Sequence, residues 1–151
     1  MQFIKYFTNF LILMFYLSSS VFASSVVKYH CGDTLFLIEK HNISDKMKTH
    51  YNLFYVENKK KILVYAGENG LPFYASCLKN TKGEALMVFE VFCGGSACPE
   101  DRYSIFDPRT KKMLLKSTGI FKGNSDKATE ILGYIPPLLY ENNSGAICCD
   151  D

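Results

Sequence analysis

The sequence has no excess of charge of either sign, no tryptophan, no Cys-x2-Cys pair and, beyond its first two dozen residues, no long apolar run. With 17 basic against 15 acidic side chains there is no concentrated field to draw in phosphate backbones or anionic lipid, so neither nucleic acid nor a membrane surface is an expected partner. A disordered chain is excluded by the 48% apolar content, which supplies enough surface to build a core. The 10 glycines and 5 prolines follow no period and no heptads or longer repeats occur, which excludes collagen, coiled coils and repeat arrays. His30, His41 and His50 are scattered along the chain and no closely spaced cysteine pair joins them. No metal or other cofactor is therefore expected.

Catalytic patterns are equally thin. Ser76-Cys77-Leu78-Lys79 matches Ser-x-x-Lys, but it lies in a strand-like run, no Ser-Asp-Asn partner exists, and Ser25-Val26-Val27-Lys28 matches too. Two matches are close to what chance produces in a chain this rich in serine and lysine, so neither signals a nucleophile. Ser96 follows two glycines, but Cys98 and Pro99 stand where a nucleophile elbow needs glycine and a helix. The acidic pairs Glu100-Asp101 and Asp150-Asp151 read as a turn and a chain end. On these grounds the chain is not expected to be an enzyme.

What is present begins at the N-terminus. Lys5 precedes the apolar run Phe10 to Leu17, and Val21 and Ala23 occupy the two small-residue positions of a cleavage site. This is the pattern of a secretory signal peptide over residues 1-23, and the run is well short of the roughly 20 residues that span a bilayer. The remaining 24-151 reads as one domain with 16 basic and 15 acidic groups, exported to the periplasm or secreted, with no integral membrane span after cleavage. All six cysteines lie in it: Cys31, Cys77, Cys93, Cys98, Cys148 and Cys149. An even count in an exported protein argues for disulfides.

Cys93 and Cys98 enclose a loop with two glycines, short and flexible enough to let them pair. Bonding adjacent Cys148 and Cys149 to each other would close a strained ring. The favoured expectation sends one to Cys31 and the other to Cys77; the alternative joins Cys31 to Cys77 and leaves 148-149 as a reducible couple.

The dominant periodicity is two, the mark of strands. Strand-like runs occur at 34-40, 51-57, 62-66, 71-79, 84-92, 102-107 and 112-116, separated by turn residues such as Asn80-Thr81-Lys82-Gly83 and Asp107-Pro108-Arg109-Thr110. In the fifth run both faces are apolar, which predicts a central strand covered on both sides. Phe36, Phe54, Phe73, Phe89 and Phe106 are the expected core aromatics. Residues 41-50 read as a polar loop or one short helix. Asn124 or Ser125 could cap a helix through Leu132, stopped by Gly133 and then Pro136-Pro137. The expected fold class is all-β: an antiparallel meander of about eight short strands, closed as a small barrel or packed as a sandwich, with at most one short helix and disulfide stabilisation.

Tyr29-His30-Cys31-Gly32-Asp33, followed by an alternating strand, resembles the opening of small periplasmic lysozyme inhibitors. The resemblance spans about ten residues, and the Ser-Gly-rich inhibitory loop of that family has no clear counterpart. The leading reading rests on size, compartment and rigid loops: an exported protein that binds, and so inhibits or neutralises, another protein of the cell envelope. Gly94, Gly95 and Ser96, held at the neck by Cys93-Cys98, form the expected binding loop, with Tyr103, and secondarily Tyr134 and Tyr140, as contact aromatics. Two other readings stay open: a redox-active or other small enzyme using Cys148-Cys149, and a secreted structural or adhesion module.

Overall fold

The computed structural model describes residues 24–43, 48–67, 71–91, 102–117, 122–140 and 147–148. In chain order these form β1 (Ser24–Cys31), β2 (Thr34–Ile43), β3 (Lys48–Glu57), β4 (Lys60–Ala66), β5 (Phe73–Lys79), β6 (Ala85–Val91), β7 (Tyr103–Asp107), β8 (Lys112–Leu115), α1 (Ser125–Leu132) and β9 (Ile147–Cys148). Every strand pairing is antiparallel. One sheet has the order β1-β2-β3-β4 and the other β8-β7-β6-β5-β9. Neither closes on itself, so of the two expected architectures the sandwich fits and the barrel does not.

Local chemistry explains the hairpins. Cys31 faces Thr34 across Gly32-Asp33, and Gly32 takes φ +58° at the first central position of a two-residue turn, where a side chain would be strained. Glu57 faces Lys60 across Asn58 and Lys59, at φ 50° and 62°. That is the left-handed pair a primed turn demands, made here without glycine. At the β5–β6 turn the Asn80 carboxamide oxygen accepts from the backbone N–H groups of Lys82 and Glu84, and Gly83 stands at φ +80°. Asp107 shapes the β7–β8 turn by accepting from the Arg109 N–H at 2.9 Å and the Thr110 hydroxyl at 3.0 Å.

The two sheets pack face to face through alternate residues. Phe36, Ile38, Tyr51, Leu53 and Tyr55 of the first sheet meet Phe73, Ala75, Met87, Phe89 and Phe106 of the second. Phe36 meets Phe106 edge-on at 6.0 Å, and Tyr51 and Tyr65 both stack on Phe73. Burying each such side chain is worth about 1.5–3 kcal/mol. The opposite residues of β6 and β7, Leu86, Val88, Tyr103 and Ile105, pack under Ala128 and Leu132 of α1 and under Leu139. The second sheet is thus the middle of three layers, and the two-sided apolar pattern of residues 84–92 has its cause in α1 and the segment after it.

One strand was not legible in the sequence, and two expectations need correction. Residues 24–31 form a strand that pairs with β2 along its whole length, although their mixed polar pattern gives no strong alternation. The 41–50 stretch is extended at both ends, with β2 running to Ile43 and β3 starting at Lys48; pairing along β2–β3 overrides the local polarity. Phe54 is only half-buried, because its register puts it on the outer face, where the Lys61 ammonium lies 5.4 Å from its ring.

Cys31 is bonded to Cys77 with their Cα atoms 5.2 Å apart. This overturns the favoured pairing of both with the C-terminal cysteines and agrees with the 31–77 part of the alternative, whose 148–149 part lies outside the described residues. The physical reason is register: the end of β1 and the middle of β5 face each other across the inter-sheet core, in which both take part. The Tyr29 hydroxyl, two residues before Cys31, accepts from the Cys77 N–H at 3.2 Å. Cys93, Cys98 and Cys149 lie outside the described residues. Of Cys148 only the backbone is described, paired opposite Tyr74.

Candidate functional site

Where β4 overhangs β7 and β8, the two sheets leave a cleft of about 340 Å³. Val64, Tyr65 and Ala66 wall it from the first sheet; Phe89 and Met113 wall it from the second. Its polar groups are Arg102, Ser104, Lys116 and Ser117. Strand alternation puts Arg102 and Ser104 there: they are two apart, so both point between the sheets, while Tyr103 and Ile105 point to the helix layer.

Arg102 is 5% exposed, which is unusual for a guanidinium. Such groups are buried only when paired. Its Nη1 donates to the Val91 carbonyl at 3.5 Å, and its buried Nε has no hydrogen-bond partner. Among the described residues no carboxylate forms an ion pair with it; the acidic groups in such pairs are Glu39, Glu84 and Asp107, joined to His41, Lys61 and Arg109. The neighbouring buried carboxylate, Glu90, belongs to the other face of β6, where it accepts from the Leu139 N–H at 3.1 Å. On the cleft side the Ser117 hydroxyl is also buried without a partner. Its backbone N–H donates to the Ser104 hydroxyl at 3.1 Å.

Lys116 is exposed at the rim and also borders a second cleft of about 250 Å³, which Lys122, Asn124, Asp126 and Lys127 line in turn. Among the described residues that line the two clefts there are four cations and one carboxylate, a local excess of positive charge in a chain that is nearly neutral as a whole.

The sequence-derived candidates fare unevenly. Gly94, Gly95 and Ser96 lie outside the described residues. The residues at which their segment joins the sheet, Val91 and Arg102, are themselves bonded at the cleft. Tyr103 is 1% exposed and packs in the core beneath the helix layer. Its hydroxyl donates to the Pro136 and Pro137 carbonyls at 3.4 and 3.2 Å, which ties the segment after α1 to the sheet. Tyr140 packs edge-on against Tyr74 at 6.5 Å. Tyr134 is 36% exposed, and partial burial raises its phenol above the ordinary value.

Sequence reasoning missed Arg102 and Lys116 as a site. Arg102 reads as an ordinary charged residue at the start of a strand, and only the pairing of the two sheets shows that it is enclosed. A signal was available in the alternation itself, since extending the inward phase of β7 back from Phe106 through Ser104 reaches Arg102.

Among the described residues no three His, Cys, Asp or Glu side chains are placed to hold a metal ion, and no helix is long and apolar enough to cross a membrane. Comparison with protein-family models, with curated proteins and with solved structures finds no match to this chain.

Proposed function

We propose that the chain is a small exported binding protein that inhibits or neutralises another protein, and that its cationic cleft seats an acidic group of that partner. The observation that carries this reading is Arg102, a buried guanidinium beside the cleft whose Nε has no hydrogen-bond partner. A buried cation without a carboxylate lowers stability, and a partner that supplies the anion would offset that cost. The Cys31–Cys77 bond suits an oxidising compartment, in keeping with the signal-like N-terminus.

The test is quantitative capture. The full chain, expressed for export with a C-terminal tag, is compared with Arg102→Met and with Lys116→Glu for the proteins each retains from an envelope fraction. A stoichiometric partner retained by the wild type and lost from both variants is the expected result. Identical retention by all three proteins, or no partner at all, would refute the proposal.

A second reading has one observation in its favour. Because Cys31 and Cys77 bond to each other, neither is left for Cys148 or Cys149. Those two would then form the reducible couple of a redox protein. Titration with mild reductant and thiol labelling decides this: labelling of 148 and 149 ahead of all other cysteines would favour it, and uniform protection would remove it.

A further inference from the structure

We infer that β1 is a strand-addition edge, to which an extended segment of a partner protein, carrying a carboxylate, adds antiparallel. β1 ends the first sheet, and its eight residues pair with β2 from Ser24 to Cys31 without a bulge or a proline. The hairpin fixes which backbone groups are left over. Cys31 and Thr34 close a two-residue turn and so form a hydrogen-bonded pair, and such pairs alternate with non-bonded ones along an antiparallel ladder. Cys31, Tyr29 and Val27 therefore bond to β2. Val26, Lys28 and His30 turn their N–H and C=O groups to the open side, and all three residues are exposed. Among the described residues no hydrogen bond reaches those groups. The other edges are blunted in the ways that sheets use against such pairing. β4 carries Lys60 and Lys61 and a register shift against β3, β8 has four residues, and β9 has two.

Alternation gives the added strand two unlike faces. On the core side it continues the layer of Val27 and Tyr29, which are half-buried at the rim of the inter-sheet core, so its residues there are apolar. On the outer side it lies beside Val26 and Lys28. Lys28 faces Leu37 on β2, and among the described residues no carboxylate pairs with it. A carboxylate on the added strand opposite Lys28 completes the cross-strand pair that the sheet lacks. That charge decides the occupant. A second copy of β1 has no acidic residue to offer, and the register that pairs Lys28 with itself sets two cations face to face. An acidic extended segment of another protein satisfies both the backbone and the lysine, with main-chain bonds giving affinity and alternate side chains giving specificity. β1 and β4 are opposite edges of the sheet, so this surface is separate from the cleft that β4 overhangs and does not depend on it.

The full exported chain is titrated with a capped peptide of alternating valine and threonine that carries one central glutamate, and with the same peptide carrying lysine there. Amide chemical shifts and hydrogen exchange follow the binding. The glutamate peptide should bind in the millimolar range or tighter, about threefold or more above the lysine peptide. Exchange should slow at the Val26, Lys28 and His30 amides, with no shift at Ser104 or Ser117. Lys28→Glu should reverse the preference between the two peptides. Val26→Pro removes one outward N–H and no β1–β2 bond, so it should keep the fold and weaken both peptides about fivefold or more. Should Val26→Pro lower stability, the wild-type amide map and the Lys28→Glu reversal still decide. Unchanged exchange at Val26, Lys28 and His30 with either peptide overturns the edge. Equal affinity for the two peptides overturns the acidic occupant. Protection of the same amides that rises with protein concentration in the absence of peptide gives the edge to a second copy, and overturns the proposal as well.

Discussion

Replacing Cys31 and Cys77 together by alanine tests the covalent link between the two sheets. The bond joins residues 46 apart in sequence and ties the end of β1 to β5 across the core. In the chain-entropy description a closed loop of that length restricts the unfolded ensemble by about 4 kcal/mol at 25 °C. Loss of the Cys31 sulfur, at 0% exposure, leaves a small void worth about 1 kcal/mol more. Unfolding entropy near 2.1 cal/mol/K per residue, over a domain of this size, turns a total near 5 kcal/mol into a Tm lower by about 15–20 °C. With no tryptophan in the chain, urea unfolding is followed by far-UV circular dichroism and tyrosine emission. The double variant should show a lower midpoint and a larger m value, since its unfolded state is freer to expand. Peptide mapping under non-reducing conditions establishes the 31–77 bond in the wild type. If the bond is present and the double variant loses less than about 1 kcal/mol, the loop-entropy reasoning fails for this protein.

Lys59 holds φ 62° in the β3–β4 turn, so Lys59→Gly should raise stability by about 0.5–1 kcal/mol in denaturant unfolding, relief of left-handed strain outweighing the added freedom of the unfolded chain. The Asn124 carboxamide accepts from the Tyr103 N–H at 2.8 Å and donates to the Tyr103 carbonyl at 2.7 Å, so Asn124→Ala should cost about 2–4 kcal/mol and loosen α1 in hydrogen exchange. Tyr103→Phe should cost about 1–2 kcal/mol through the Pro136 and Pro137 carbonyls, with partner capture unchanged. Burial pushes the Asp107 carboxyl up, but hydrogen bonds from Arg109 and Thr110 outweigh it and hold the carboxyl below its ordinary value. That stabilisation is complete above the unfolded carboxylate pKa of about 4 and is lost as pH falls through the lower folded value. The urea midpoint should therefore drop below about pH 4, and Asp107→Asn should flatten that drop.

Strand periodicity made most of the fold legible. The two-sided apolar pattern of residues 84–92 marked a strand covered on both sides, and it is one, because each face of β6 meets its own core. Glycine chemistry located the turn at Gly83 and the helix stop at Gly133, both at φ +80°. Asn124, expected as a cap, stands at the N-cap position without making a cap hydrogen bond, because its carboxamide pairs with the Tyr103 backbone instead. Lys111, beside the β7–β8 turn, reaches across to Thr34 at 3.1 Å and lies 5.0 Å from the Tyr55 ring. Such features belong to the meeting of two sheets, which no window along the chain contains. The disulfide is of that kind as well, since which cysteines meet depends on how β1 sits over β5. The Arg102 cleft was hidden for the same reason: enclosure is a property of the inter-sheet space.

The meander order also sets a timetable for synthesis. All four strands of the first sheet are complete by Ala66, whereas its core partners begin at Phe73. A nascent chain therefore displays Phe36, Ile38, Tyr51, Leu53 and Tyr55 on a bare face before the second sheet arrives to cover them. Cys31 emerges 46 residues ahead of its partner, which at 5–20 residues per second is a wait of about 2–9 s. Throughout that interval the thiol is open to mispairing and the face to aggregation. The first moments after Cys77 emerges then decide between the native bond and a kinetic trap, and a chaperone or disulfide isomerase would have its greatest effect there.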